Sequence, residues 1–241
     1  MHIRIEIEDD YDAMSKKAAQ IFVDRVKNKP DGSYGFATGS TPIGMYQELI
    51  RMHKEEGADF SQITTFNLDE YHPISKESEH SYYHFMHEQL FNHVNLGRVF
   101  LIDGKASDPA FEAQMYEGNI YETGGIEMQI LGIGVNGHIG FNEPCESFEA
   151  NARCVALSDI TIESNARHFA SADDVPRHAI TLGIRSIMLS RQVLLLANGG
   201  AKAAILRDAF YGPITPLVPA SILQLHPSVI VVVDKEAAAS L

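Results

Sequence analysis

Three features of the 241-residue sequence predict an α/β fold with a mainly parallel, twisted sheet and helices on both of its faces. Short β-rich runs recur along the chain, and segments with apolar residues at helical spacing lie between them. Two of the runs, Met128 to Ile133 and Val229 to Val233, have the composition of central parallel strands buried on both sides. Ligands of such sheets bind beyond the carboxyl ends of the strands, so the loops that leave those ends are where chemistry is expected.

In chain order, Ile3 to Ile7 alternates apolar and polar residues and reads as a strand; the N-terminus lacks the apolar core of a secretory signal. Tyr11, Met14, Ala18, Ile21, Phe22 and Val26 mark one face of a helix. Tyr34 to Ala37 is the next strand, followed by a helix through Ile43, Tyr46, Leu49 and Ile50. Strands are expected again at Ile63 to Asn67, Val99 to Ile102, Met128 to Ile133, Val193 to Ala197 and Val229 to Val233. The polar, histidine-containing stretch from Tyr71 to Tyr83 reads as a long loop, either an active-site lid or a plain surface connection. No internal repeat, low-complexity tract or long linker interrupts the pattern, which predicts one domain over residues 1–241.

A formal net charge of -13 argues against a nucleic-acid partner, which requires a basic face to replace phosphate counterions. It is compatible with a small anionic ligand held by a few local cations. No apolar run approaches the ~20 residues needed to span a bilayer, so no membrane partner is expected. Two cysteines, Cys145 and Cys154, are too few for a disulfide framework and suggest a reducing, cytoplasmic setting.

Two strand exits could bind phosphate. After Tyr34 to Ala37 comes Thr38-Gly39-Ser40-Thr41-Pro42, in which Thr41 suits a helix N-cap and Pro42 the first helical position. Free amides, a helix dipole and three hydroxyls would form an anion cradle there, although an ordinary capped turn has the same composition. After Val193 to Ala197, the run Asn198-Gly199-Gly200-Ala201-Lys202 sets Lys202 near a helix start, where a cation is disfavoured unless an anion lies close by. Arg167 could add a bidentate contact to the same group.

Two further exits carry acid–base candidates. The strand ending at Asn67 runs into Leu68-Asp69-Glu70-Tyr71, where a carboxylate could abstract a proton beside a carbonyl or imine or could simply cap a turn. The strand ending near Ile133 runs into Gly134-Val135-Asn136-Gly137-His138-Ile139-Gly140-Phe141-Asn142-Glu143-Pro144. Its glycines let backbone approach a ligand, and His138 stands among polar residues that could orient it, with Glu143 able to hold its tautomer. His80, His84 and His87 have helical spacing, but His87-Glu88 lacks the second histidine of HExxH, and no metal is expected. Tyr82, Tyr83 and Phe85 read as packing residues.

Taken together, Thr38 to Pro42, Phe66-Asn67-Leu68-Asp69-Glu70-Tyr71, Gly137 to Pro144 and Lys202 resemble the glucosamine-6-phosphate deaminase family in order and spacing across essentially the whole chain. The resemblance implies a Rossmann-like fold and cofactor-free conversion of glucosamine 6-phosphate and water to fructose 6-phosphate and ammonia. It implies Asp69 as the base at C2 and C1, and His138 as the ring-opening residue supported by Asn136 and Glu143. Gly39, Ser40, Thr41, Arg167 and Lys202 match phosphate-binding positions. The partner implied is a small sugar phosphate, and the protein a monomer or small homo-oligomer.

Longer family members commonly carry aspartate at the position of Asn136. Those activated by an N-acetylated effector have other residue types where Glu146 and Val155 stand and longer C-termini, so no such activation is expected here. The related 6-phosphogluconolactonases share the phosphate loop and the glycine–histidine segment, but typically place an arginine after the acidic pair. A sugar-phosphate-binding regulator would not need Asp69, His138 and Glu143 together.

Overall fold

The computed structural model describes residues 3–166, 169, 171 and 174–241; Arg167 lies outside them. Seven strands form one sheet: β1 (Ile3–Glu8), β2 (Ser33–Phe36), β3 (Thr64–Asn67), β5 (Arg98–Phe100), β6 (Ile126–Leu131), β9 (Val193–Ala197) and β10 (Val229–Asp234). Their order is β1-β10-β9-β6-β2-β3-β5, and every neighbouring pair is parallel. These are the seven runs predicted as strands, with boundaries moved by up to two residues at either end.

The central strands show why their sequences lack alternation. Val229, Val231 and Val233 of β10 belong to one buried cluster, while Ile230 and Val232 belong to the other, on the opposite face. The first cluster includes residues of α4 (Pro109–Glu122), α6 (Ile184–Met188) and α7 (Ala203–Tyr211); the second includes α1 (Tyr11–Asn28) and α2 (Ile43–Glu56). Each fully buried Val, Leu or Ile contributes about 1.5–3 kcal/mol relative to exposure. An aspartate at Val231, with apolar neighbours and no partner, would unfold this centre.

A second sheet, not predicted, has three antiparallel strands in the order β4-β8-β7: β4 (Asp69–His72), β8 (His178–Thr181) and β7 (Arg153–Ala156). The stretch expected to be a loop from Tyr71 therefore begins inside β4 and ends at a short helix, α3 (Tyr82–Met86), capped by Ser81, whose hydroxyl accepts from His84 N. These strands are four residues long and mixed in polarity, and they pair across long stretches of chain. No local pattern reveals them.

The expected N-cap at Thr41 is also corrected. Helix α2 starts at Ile43, and Pro42 occupies the cap without a side-chain bond, because the Thr41 hydroxyl is directed to Asn198 instead.

Candidate active site

Four exits from the carboxyl edge of the large sheet, those of β2, β3, β6 and β9, converge on a cavity of about 450 Å³. Asp69, Asn136, His138, Gly39, Ser40, Thr41 and Lys202 all line it. β9, β6, β2 and β3 are consecutive in the sheet, which is why loops distant in sequence share one rim.

On the β2 side, Gly39 adopts φ +97°, a left-handed conformation that favours glycine and turns the chain at the rim. The loop is braced from two sides. The Tyr11 hydroxyl donates to the carbonyls of Ser40 and Thr41, each at 3.1 Å, and accepts from Gly44 N at 2.8 Å. The Thr41 hydroxyl donates to Asn198 Oδ1 at 3.0 Å, joining the loops after β2 and β9. Gly199 N in turn donates to both carboxylate oxygens of Asp234 at 3.0 Å. Lys202 Nζ donates to the Ile133 carbonyl at 2.6 Å, which keeps its ammonium at the cavity wall. Among the described lining residues it is the sole lysine or arginine.

The β6 exit fixes His138. Gly134 N donates to the His138 carbonyl at 2.9 Å, and the ring lies so close to Gly134 that a Cβ there would stand 2.3 Å from it. Asn136 Oδ1 accepts from His138 N at 3.2 Å and lies 2.7 Å from His138 Nδ1, while Asn136 Nδ2 donates to Glu143 Oε2 at 2.7 Å. With Oδ1 the acceptor of the amide, Nδ1 carries the ring proton and Nε2 keeps its lone pair. The direct partner of Nδ1 is thus Asn136, where the sequence suggested Glu143. The Glu143 carboxylate stands 3.5 Å from Nδ1 and also accepts a short hydrogen bond from the Thr161 hydroxyl. Burial raises the Glu143 pKa, but the bonding and charge of His138 and the hydrogen bonds from Thr161 and Asn136 outweigh it, holding the group at about 2.

Asp69 is the first residue of β4 and is 7 % exposed. Burial is the main reason its pKa rises to about 8, with the charge of Glu70 adding to it. Sequence reasoning missed three cavity residues. Tyr82 packs against Tyr71 and Phe141 with ring centroids 4.7 and 6.2 Å away, and also lines the cavity. Thr161 sits on α5 (Asp159–Asn165), and Asn198 is the first residue after β9. Only the Ser158-to-Thr161 capping spacing and the glycines after Asn198 hinted at the latter two. Among the described residues, no group of three or more His, Cys, Asp or Glu side chains is placed to hold a metal ion, and no helix is long and apolar enough to cross a membrane.

The profile of the family described as glucosamine-6-phosphate isomerases/6-phosphogluconolactonase matches residues 8–231. The chain belongs to this family. A glucosamine-6-phosphate deaminase of Clostridium botulinum is 51% identical over 241 residues, covering 99% of both chains. One from Halothermothrix orenii is 50% identical over 99% of this chain and 100% of its own. A solved structure described as a monomeric glucosamine-6-phosphate deaminase superposes with a TM-score of 0.96 at 42% identity over 100% of both chains. The 6-phosphogluconolactonase from Trypanosoma cruzi superposes with a TM-score of 0.77 at 21% identity, over 100% of this chain and 98% of its own, a likeness of fold alone.

Proposed function

We propose that the protein is a glucosamine-6-phosphate deaminase of amino sugar catabolism, converting glucosamine 6-phosphate and water to fructose 6-phosphate and ammonia. Residues 1–241 would act as one domain, a cytoplasmic monomer or small homo-oligomer, on a small sugar phosphate without a cofactor. The observation that carries the reading is that Asp69 and His138 line one cavity with the Thr38–Thr41 loop and Lys202. That lining offers loop amides, hydroxyls and an ammonium suited to a phosphate, together with two groups able to move protons.

Each residue has a role that its surroundings support. Gly39, Ser40, Thr41 and Lys202 bind the phosphate, and Arg167, outside the described residues, is assigned with them from the family pattern. His138 takes the proton of the anomeric hydroxyl at Nε2 and passes it to the ring oxygen as the C1–O5 bond breaks, which opens the pyranose. Glu143, ionised, favours the imidazolium that forms, and Asn136 orients the ring. Asp69 then takes the C2 proton of the open-chain amino aldehyde, giving an enolamine, and returns it to C1, which leaves a ketimine at C2. Water adds to the resulting ketimine carbon and ammonia leaves, which balances the reaction. A carboxyl group with a pKa near neutrality suits both halves of the transfer, and the amino group of the substrate, when cationic, would favour the carboxylate on binding.

The deciding experiment is a coupled ammonia assay with glucosamine 6-phosphate, run beside hydrolysis of 6-phosphogluconolactone. Wild type is expected to release ammonia and leave the lactone at its background rate. Asp69→Asn is expected to lose about 10²–10⁴-fold in kcat. Lactone hydrolysis without ammonia release would replace the reading with the lactonase one, and binding without turnover would replace it with a regulator.

A further inference from the structure

Glu70 has no part in the chemistry above, yet it is 3 % exposed and heavily bonded. Neighbouring residues of a strand point to opposite faces, so Asp69 lines the cavity while Glu70 does not. Its Oε1 accepts from Tyr71 N and Tyr82 N, each at 2.9 Å, and its Oε2 accepts from Tyr83 N at 2.8 Å. One carboxylate therefore joins the β4 backbone beside the base to the first turn of α3. Tyr82, at that turn, packs on Tyr71 and lines the cavity together with Thr38 of the phosphate loop.

We propose that Glu70 is a positioning residue whose carboxylate, clamped on three main-chain amides, holds the Asp69 base and the Tyr82 wall as one unit. The inference rests on the deaminase reading of the cavity. Electrostatics supports it. Burial lifts Glu70 to about 7 against the pull of its three N–H donors, and burial lifts Asp69 to about 8 with the Glu70 charge behind it. The three N–H donors favour Glu70 as the charged member of the pair, and that charge helps to raise Asp69. The other titratable groups around Asp69 are Tyr71 of its own strand, Tyr82 of α3, Tyr116 of α4, and His138 and Lys202 on the cavity wall. None of these is a carboxylate, and among the described residues Glu70 is the one whose charge contributes to raising Asp69.

The test compares wild type, Glu70→Gln and Glu70→Asp by the pH profile of kcat/KM, NMR titration of the Asp69 carboxyl, and amide exchange at Tyr82 and Tyr83. Glu70→Gln removes the charge, so the acidic limb of the profile and the Asp69 midpoint should both move about one pH unit lower. With one amide left facing a donor instead of an acceptor, kcat should also fall about tenfold while KM changes less. Glu70→Asp keeps the charge but is too short for the clamp. It should hold the Asp69 midpoint near that of wild type, lose exchange protection at Tyr82 and Tyr83, and lower kcat. An unmoved Asp69 midpoint in Glu70→Gln, or wild-type exchange and kcat in both variants, overturns the proposal. If wild type releases no ammonia, the deaminase reading falls, and the NMR midpoint and exchange data still decide whether Glu70 positions Asp69.

Discussion

His138 owes its suitability as a base to what its other nitrogen touches. The amide of Asn136 passes a hydrogen bond from Nδ1–H to Glu143 and fixes the tautomer without carrying charge. Asn136→Asp would set a second carboxylate against Glu143 in place of a donor, so the His138 titration should move to higher pH. An NMR midpoint that stays or falls would refute this account. Asp69 makes the complementary case, since its pKa is raised on folding from an ordinary 3.8 to about 8. Between those values the native state binds more protons than the unfolded one, so this group's contribution to stability is full below about pH 4 and is lost as pH rises through about 8. Each unit of difference corresponds to about 1.4 kcal/mol, so Asp69→Asn should melt higher than wild type at pH 8.5 while having lost its activity. The gap should close towards pH 4, and thermal melts across that range check it.

At the scale of elements, the strand exits are built so that backbone carries the side chains to the cavity. The turn after β6 is the tightest example, because the His138 ring occupies the space a Cβ on Gly134 would need. Gly134→Ala should push the ring out of place and lower kcat/KM by about 10²-fold, with Tm as a control for global damage. The seven strands of the large sheet were legible because buried parallel strands are apolar on both faces and separated by helical periodicity. The strands β4, β7 and β8 were not, since their residues are chosen by partners distant in sequence. For the same reason Thr41 read as a helix cap, when its hydroxyl is drawn to Asn198 across the sheet edge.

For the molecule as a whole, the acidic surface charge and a cavity whose sole described lysine is Lys202 suit one small anion held locally. Lys202→Met should raise KM for the phosphorylated sugar several-fold with a smaller change in kcat, as expected when ground-state binding is lost. The family resemblance implies no N-acetylated effector site around Glu146 and Val155, so the expected outcome is hyperbolic substrate saturation unchanged by N-acetylglucosamine 6-phosphate. Sigmoidal kinetics relieved by that compound would contradict this.

The sequence by itself determined the α/β class, the strands of the large sheet and which polar and titratable residue types stand at its strand exits, because burial patterns and side-chain types are local properties. Only the tertiary structure decided that Asn136 stands between His138 and Glu143, that Tyr82 walls the cavity, and that Glu70 joins the base to α3. Each of these depends on distances between segments that no local pattern encodes, and it is mainly burial, with the Glu70 charge beside it, that raises an ordinary aspartate to a pKa of about 8.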